Sequence, residues 1–133
     1  MALTYRVKCP TCGKVQNLPR SGPCVDCGET LKVNQAGAIA LYRMGNFIGA
    51  VSGYGIYLNG QPYGAIGNRE TIIIPLPYGS YRLHIVCGMN RQCNDPVIRL
   101  TPKDPFVCLK VHVRLGFNSN RYIIQRVDPD TMP

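Results

Sequence analysis

Four cysteines near the start of the chain have the spacing of a metal site. They stand in two short segments, Cys9-Pro10-Thr11-Cys12-Gly13 and Cys24-Val25-Asp26-Cys27-Gly28. The short spacing within each pair lets both sulfurs reach one ion from a tight turn, and the following glycine lets backbone amides turn toward the sulfurs. Four thiolates arranged in this way bind a tetrahedral metal ion. The spacing therefore predicts one structural Zn²⁺ held by Cys9, Cys12, Cys24 and Cys27.

The two cysteine pairs resemble the zinc-ribbon, or rubredoxin-like, modules that are common in prokaryotic proteins. Many such modules bind nucleic acid or proteins and others only fold and dock, so the resemblance implies a metal and no single task. A redox site built on one pair would require a thioredoxin-like βαβ context, which the surrounding pattern lacks. A catalytic zinc would require an open coordination position, whereas a four-thiolate site is closed. Because so short a segment cannot bury a core, we expect the ion to supply most of its folding energy.

The remaining cysteines, Cys87, Cys93 and Cys108, are odd in number and show no disulfide framework. Cys87 and Cys93 could form a redox loop or a disulfide across a turn, but a cysteine on an apolar strand face more often packs in a core. The first residues lack the apolar stretch of a signal peptide, and no apolar run approaches the ~20 residues of a membrane span. We therefore expect a reducing, cytoplasmic setting and no membrane span.

Beyond residue 38 the chain alternates between apolar and polar residues, with turn residues between short segments. Its 14 glycines and 11 prolines are spread along the chain, as in proteins with many short strands. Strands are predicted at residues 39–43, 55–58, 63–66, 71–74, 80–87, 97–100, 107–115 and 121–127. Asn59-Gly60 predicts a hairpin turn, and Pro75, Pro77 and Gly79 are expected to end the fourth segment. The chain is thus predicted to be all-β, with a zinc ribbon over residues 1–34 and a β-sandwich of about seven or eight strands over residues 38–133.

The segment from about residue 38 to residue 90 resembles a group of small bacterial β-sandwich domains of unknown function. These are similar to carboxypeptidase-regulatory-like, transthyretin-like and surface-layer-type modules. The residues that carry the resemblance are Leu41-Tyr42-Arg43, Asn46-Phe47-Ile48-Gly49, Tyr57-Leu58-Asn59-Gly60 with Gly64, and Pro75-Leu76-Pro77-Tyr78-Gly79-Ser80-Tyr81. The resemblance implies a sandwich of Ig-like or transthyretin-like type and brings no catalytic residues. Its members are often membrane-attached, but this chain has no lipobox, so that property does not carry over.

The chain is basic, with 15 Lys and Arg against 7 Asp and Glu and a formal charge of +8. A four-thiolate zinc site carries about −2, which brings the total to about +6. Strand alternation turns six cationic or imidazole side chains outward: Arg82, His84, Arg99, Lys110, His112 and Arg114. If their strands are neighbours in one sheet, they form one basic face that could meet phosphates; an ordinary solvated surface is the alternative.

The two histidines suggest a further alternative. If the strands of His84 and His112 pair, these side chains could bind a second metal together with Cys108, although the neighbouring Lys and Arg would disfavour a dication.

No acid or base stands near a plausible nucleophile in the sequence, so we expect a non-enzymatic protein. Exposed hairpins and sheet edges favour a protein partner. The first alternative is nucleic-acid binding through the basic sheet face and four residues of the ribbon, Arg6, Lys8, Lys14 and Arg20. The second is a thiol redox protein that uses Cys87 and Cys93. The oligomeric state and the identity of the partner do not follow from the sequence.

Overall fold

A computed structural model describes residues 4–44, 53–86, 93–114 and 121–131. These residues form twelve strands and one short 3₁₀ helix, Pro129–Thr131. The strands are β1 (Tyr5–Lys8), β2 (Val15–Leu18), β3 (Gly22–Pro23), β4 (Thr30–Leu31), β5 (Gly37–Arg43), β6 (Tyr54–Leu58), β7 (Gln61–Ile66), β8 (Thr71–Leu76), β9 (Gly79–Val86), β10 (Val97–Leu100), β11 (Phe106–Arg114) and β12 (Arg121–Val127). The all-β prediction is confirmed, and each segment predicted beyond residue 38 overlaps one of β5 to β12. Cys87, Leu115 and residues 46–49, which carry part of the resemblance, lie outside the described ranges.

The strands form two main sheets and one small one. The larger sheet has six strands in the order β12-β11-β5-β8-β1-β2, and the second has four in the order β10-β9-β6-β7. The small sheet pairs β3 with β4 inside the cysteine-rich segment. Most neighbours are antiparallel, whereas β5 runs parallel to β11 and β1 runs parallel to β8.

The two main sheets pack against each other through their apolar faces. Alternate residues of β5, β8 and β11, such as Leu41, Ile72 and Leu109, are almost completely buried. They share one core with residues of the four-stranded sheet such as Ile56 and Ile85. Burial of these β-branched and leucine side chains is the main stabilising contribution to a fold of this kind. The opposite faces of the two sheets therefore lie on opposite sides of the molecule.

The first hairpin, β1 and β2, belongs to the same sheet as the body of the protein. Tyr5 stands beside Ile73 of β8, and the Ile73 N–H donates a 2.9 Å hydrogen bond to the Thr4 carbonyl. The side chain of Arg6 reaches the other sheet, where it donates to the Tyr63 carbonyl of β7 at 3.2 Å. The strands of this hairpin flank the first cysteine pair. The hairpin is thus hydrogen-bonded to both main sheets.

The strand that contains Pro75 is longer than the sequence predicts. Pro75 was expected to end it, and this boundary is wrong, because β8 continues to Leu76. The backbone nitrogen of residue 75 points to the same edge of β8 as that of Ile73, which faces β1. Pro75 therefore removes no donor from the ladder with β5, where it stands opposite Ala38.

The Asn59-Gly60 turn is confirmed. Both residues have positive φ, 52° and 79°, and Leu58 pairs with Gln61 across the turn. These are the backbone angles of a tight hairpin turn whose twist matches that of its strands.

None of the helices in the described ranges has the length and apolarity needed to cross a membrane.

Candidate metal centre

Two turns of the same shape position the four cysteines. In the first, the Gly13 N–H donates to the Cys9 carbonyl at 2.9 Å, and in the second the Gly28 N–H donates to the Cys24 carbonyl at 3.0 Å. Gly13 and Gly28 have φ of +78° and +80°, a conformation that a residue with a Cβ adopts only with strain. The glycine after each cysteine pair is therefore required by the backbone, as the sequence indicated.

The four sulfurs lie close enough to bind one ion. All four are within 4.8 Å of one another, with 3.5 Å between Cys9 and Cys27 and 3.5 Å between Cys12 and Cys24. A tetrahedral ion about 2.3 Å from each sulfur separates the sulfurs by about 3.8 Å. A disulfide would require about 2.05 Å. The arrangement thus fits four ligands of one metal ion and no disulfide.

Two of the four cysteines are buried in the protein and two are exposed to solvent. Cys9 and Cys24 are buried and pack with Val7 and Leu31, whereas Cys12 and Cys27 are exposed. The small apolar cluster around the two buried sulfurs is separate from the core between the main sheets. So small a cluster cannot stabilise the segment without help, which is the situation in which a bound metal supplies folding energy.

Gln16 of β2 supports the second pair of cysteines. Its side chain is buried, its Nε2 donates to Cys24 Sγ at 3.3 Å, and its Oε1 accepts from the Val25 N–H at 3.1 Å. A hydrogen bond to a ligand sulfur orients the ligand and stabilises its anionic form. The sequence analysis missed this residue, because only the pairing of β2 with β1 and its position beside the second turn reveal it.

The thiols differ in how readily they ionise. Backbone N–H donation from Cys27, assisted by the Gln16 side chain, lowers the pKa of Cys24 to about 6. A hydrogen bond from the backbone of Cys12 likewise lowers the pKa of Cys9. The backbone of Glu29 acts to lower the pKa of Cys27, but burial and the neighbouring thiols raise it to about 12. The neighbouring thiols thus contribute to a lower pKa at Cys9 and to a higher pKa at Cys27, as expected when acidic groups around one point share their protons.

The six residues of the predicted basic face lie on two different sheets. Arg82 and His84 are on β9 and Arg99 is on β10, in the four-stranded sheet; Lys110, His112 and Arg114 are on β11, in the six-stranded sheet. Because the sheets pack through their inner faces, the two groups of outward side chains lie on opposite sides of the molecule. A single basic face would require all six residues to lie on one sheet. Only three of them do so on each side of the molecule. Burial, Lys110 and Arg114 also lower the pKa of His112, so its ring is neutral near pH 7.

The structure also separates His84, His112 and Cys108, which the sequence suggested as a second metal site. His84 and His112 belong to different sheets, and Cys108 is buried beside Ala40 and Ile73 in a small outer cluster. His84 lies instead beside Cys93 and Asp95, with their ligand atoms all within 4.8 Å of one another. This grouping was missed, because Asp95 lies before β10 and its approach to His84 depends on the pairing of β10 with β9, which the sequence does not show.

The predicted redox pair is described only in part, since Cys87 lies outside the described ranges. The pKa of the Cys93 thiol is raised, chiefly by burial and also by the nearby Asp95 carboxylate. A thiol in this state is a poor nucleophile at neutral pH.

A cleft lies between the cysteine-rich segment and β8. Its volume is about 320 Å³, and one wall carries Pro10 and Leu31 while the other carries Pro75, Leu76 and Pro77. Lys8 and Lys32 also line it, together with Val7, Thr30, Gln35 and Tyr63. No acidic residue is among the described residues that line the cleft.

A search of protein-family profiles, of curated protein sequences and of solved structures found no match to this chain.

Proposed function

We propose that this protein is a non-enzymatic binding protein in which one structural Zn²⁺ holds the wall of a cleft that takes a segment of another protein. The observation that carries the proposal is the cluster of four cysteine sulfurs, all within 4.8 Å of one another at the ends of two matching turns. The ion supports the cleft, and the cleft provides the binding surface.

The donor set favours zinc. Four cysteine sulfurs form a soft tetrahedral set, which selects Zn²⁺ or iron among the common metals. The two turns position the sulfurs, and Gln16 donates a hydrogen bond to Cys24 Sγ. With every coordination position taken by protein, such an ion stabilises structure and offers no position for substrate.

The same ion fixes one side of the cleft. Pro10 lies between the ligands Cys9 and Cys12, and Thr30 and Leu31 form β4 two residues after the second pair. The opposite side belongs to β8, which the core of the sandwich holds in place. The width of the cleft therefore depends on the position of the metal-bound segment relative to β8.

The chemistry of the lining favours an acidic, partly apolar segment of a protein. Lys8 and Lys32 supply positive charge, while Leu31 and Leu76 supply apolar surface. Pro75 and Pro77 have no N–H groups, so β8 cannot bind a partner here by a regular ladder of backbone hydrogen bonds. Recognition then depends on side chains: a carboxylate of the partner on the lysines and an aliphatic or aromatic group between the prolines.

Native mass spectrometry tests the metal part of the proposal. Protein purified without added metal should carry the mass of one zinc ion per chain, and a strong chelator should remove it with partial loss of folded structure. The same measurement on Cys27→Ser should show little or no retained zinc. A chain that carries no metal while all its thiols are reduced would overturn the assignment.

A display library of linear peptides tests the binding part. Peptides selected by the zinc-loaded protein should share an acidic residue next to an apolar one. They should lose affinity for the double variant Lys8→Glu, Lys32→Glu. The matched control is Lys103→Glu, Lys110→Glu, which makes the same charge change away from the cleft and should leave binding unchanged. Selected peptides that bind all three proteins equally would contradict the proposal.

Nucleic acid is the competing partner, and the division of the cationic residues between two sheets gives it less support. Labelled single- and double-stranded DNA and RNA should show no retention at low salt. Retention that falls steeply with salt would replace the protein partner with a nucleic acid.

A further inference from the structure

Three potential metal ligands meet at one end of the four-stranded sheet, away from the four-cysteine site. His84 lies near the end of β9, and Cys93 and Asp95 lie in the segment before β10. One ligand atom from each residue falls within 4.8 Å of the others, and His84 Nδ1 is 2.6 Å from Asp95 Oδ1. All three side chains are partly buried, so the cluster is sheltered but reachable from solvent.

The pairing of the strands explains why these residues meet. Val97 of β10 stands opposite Arg82 of β9 in an antiparallel register. The same register continued by two residues on each strand places Asp95 opposite His84. The Leu83 N–H donates to the Pro96 carbonyl at 3.1 Å, which shows that the chain still follows β9 at this point. Asp95 has a φ of 47°, and Cys93 Sγ on the other side of Asn94 lies within 4.8 Å of the ligand atoms of His84 and Asp95.

The segment that carries Cys93 and Asp95 is also held from the other side. The Asn94 side chain donates to the Ile124 carbonyl and accepts from the Ile124 N–H, both at 2.9 Å. The Asn94 N–H donates to the Tyr122 carbonyl at 3.3 Å. Asn94 thus ties the segment to β12 of the larger sheet, while Pro96 ties it to β9. Ligands on a segment fixed at both sides keep their separation before an ion binds, which lowers the entropic penalty of binding.

We propose that His84, Cys93 and Asp95 form a second metal site, which binds a divalent transition-metal ion of the Zn²⁺ class through one nitrogen, one sulfur and one oxygen. An imidazole, a thiolate and a carboxylate are together the donors that such ions prefer, and they are a poor match for Ca²⁺ or Mg²⁺. Three protein ligands leave a fourth position for water or an anion. The second ion is therefore exchangeable, unlike the ion enclosed by four cysteines.

Binding of the ion displaces the proton of the Cys93 thiol. The ion then neutralises the thiolate and the carboxylate that surround it. A tetrahedral ion with bonds of about 2.0 Å to nitrogen and oxygen separates these two atoms by about 3.3 Å. Binding therefore requires His84 Nδ1 and Asp95 Oδ1 to move apart from 2.6 Å, or His84 to coordinate through Nε2 while Asp95 orients the ring. Either movement is a side-chain rotation that leaves the backbone in place.

Zinc titration of the protein that already carries its first ion tests this proposal. Native mass spectrometry should show two zinc ions per chain in excess zinc, and a mild chelator should remove only the second. Cys93→Ser and His84→Gln should each weaken the second ion by at least roughly 10- to 100-fold and leave the first in place. The matched controls are Cys108→Ser and His112→Gln, which replace the same residue types outside the cluster and should retain both ions.

Cobalt provides a second readout that does not require a variant to fold. Co²⁺ added to zinc-loaded wild-type protein should produce thiolate-to-metal charge-transfer absorption, and alkylation of the Cys93 thiol should abolish it. Amide NMR spectra of each variant establish that it is folded. A single zinc ion per chain at millimolar zinc would overturn the proposal. So would a second ion that persists in both Cys93→Ser and His84→Gln, or one that His112→Gln removes equally.

Discussion

The contact between Arg6 and Gly64 links the cysteine-rich hairpin to the four-stranded sheet, and Gly64→Ala should break it. The Arg6 guanidinium is buried and donates to the side chain of Asn17 and to the Tyr63 carbonyl. Gly64 has a φ of +81°, and a Cβ built on it would lie 2.5 Å from Arg6 Nη1. An alanine at this position must therefore adopt a strained backbone and displace a buried, hydrogen-bonded cation.

Gly60 provides the matched control, because its φ is +79° and nothing lies within 4 Å of an added Cβ. The left-handed backbone alone destabilises an alanine by about 1–2 kcal/mol, which is all that Gly60→Ala should lose. Loss of a hydrogen bond from a charged group adds about 1.5–3 kcal/mol, so Gly64→Ala should lose about 2.5–5 kcal/mol. In a chain of this length, the extra loss corresponds to a Tm lower than that of Gly60→Ala by roughly 6–12 °C.

Urea unfolding of the zinc-saturated proteins, followed by circular dichroism, measures both losses. In a background of Arg6→Met, the penalty for Gly64→Ala should fall to that of Gly60→Ala, because the displaced group is gone. Equal losses for the two alanine variants in the wild-type background would refute the reasoning. That outcome would mean that the guanidinium moves aside freely and that Arg6 does not connect the hairpin to the sheet.

Three further predictions concern single polar contacts. Gln16→Leu removes the donor to Cys24 Sγ and should weaken the first metal ion by roughly 10- to 100-fold in competition with a chelator. Arg126→Gln should raise the Asp104 pKa toward that of a free carboxyl in an NMR titration, since the Arg126 hydrogen bond lowers it. The stability that this pair supplies is present above the ordinary carboxyl pKa and is lost as the pH falls through the lowered one. Asn94→Ala leaves a backbone N–H and carbonyl of β12 without their side-chain partner and should lower the free energy of unfolding by about 1–3 kcal/mol, measured in urea.

Features set by local sequence were predicted well. The cysteine pairs and their glycines specify two turns by spacing alone, and the structure places all four sulfurs together. Asn59-Gly60 specifies its own turn because both residues adopt positive φ. Alternation identified the strands of the body, since one face of each is buried against the opposing sheet.

Features that depend on pairing between distant segments could not be predicted from the sequence. Alternation shows that Arg82 and Lys110 point outward, but nothing in it shows that β9 and β11 belong to different sheets. The same limit concealed the cluster of His84 and Asp95, which depends on the register between β9 and the segment before β10. A Cys-x-Asp sequence that leads into a strand was the available signal, and its meaning depended on knowing which strand lies opposite.

Pro75 in β8 and Pro77 just after it connect the fold to the proposed binding surface. β1 pairs with β8 only at Tyr5 and Ile73, and beyond that point the two strands leave the cleft between them. An exposed strand edge normally attracts another strand. Pro75 and Pro77 lack the N–H groups that such pairing needs, so neither β1 nor a foreign strand can extend the ladder there. The cleft thus stays open as a surface for side chains, and an ion bound by the four cysteines, as proposed, would hold its opposite wall in place.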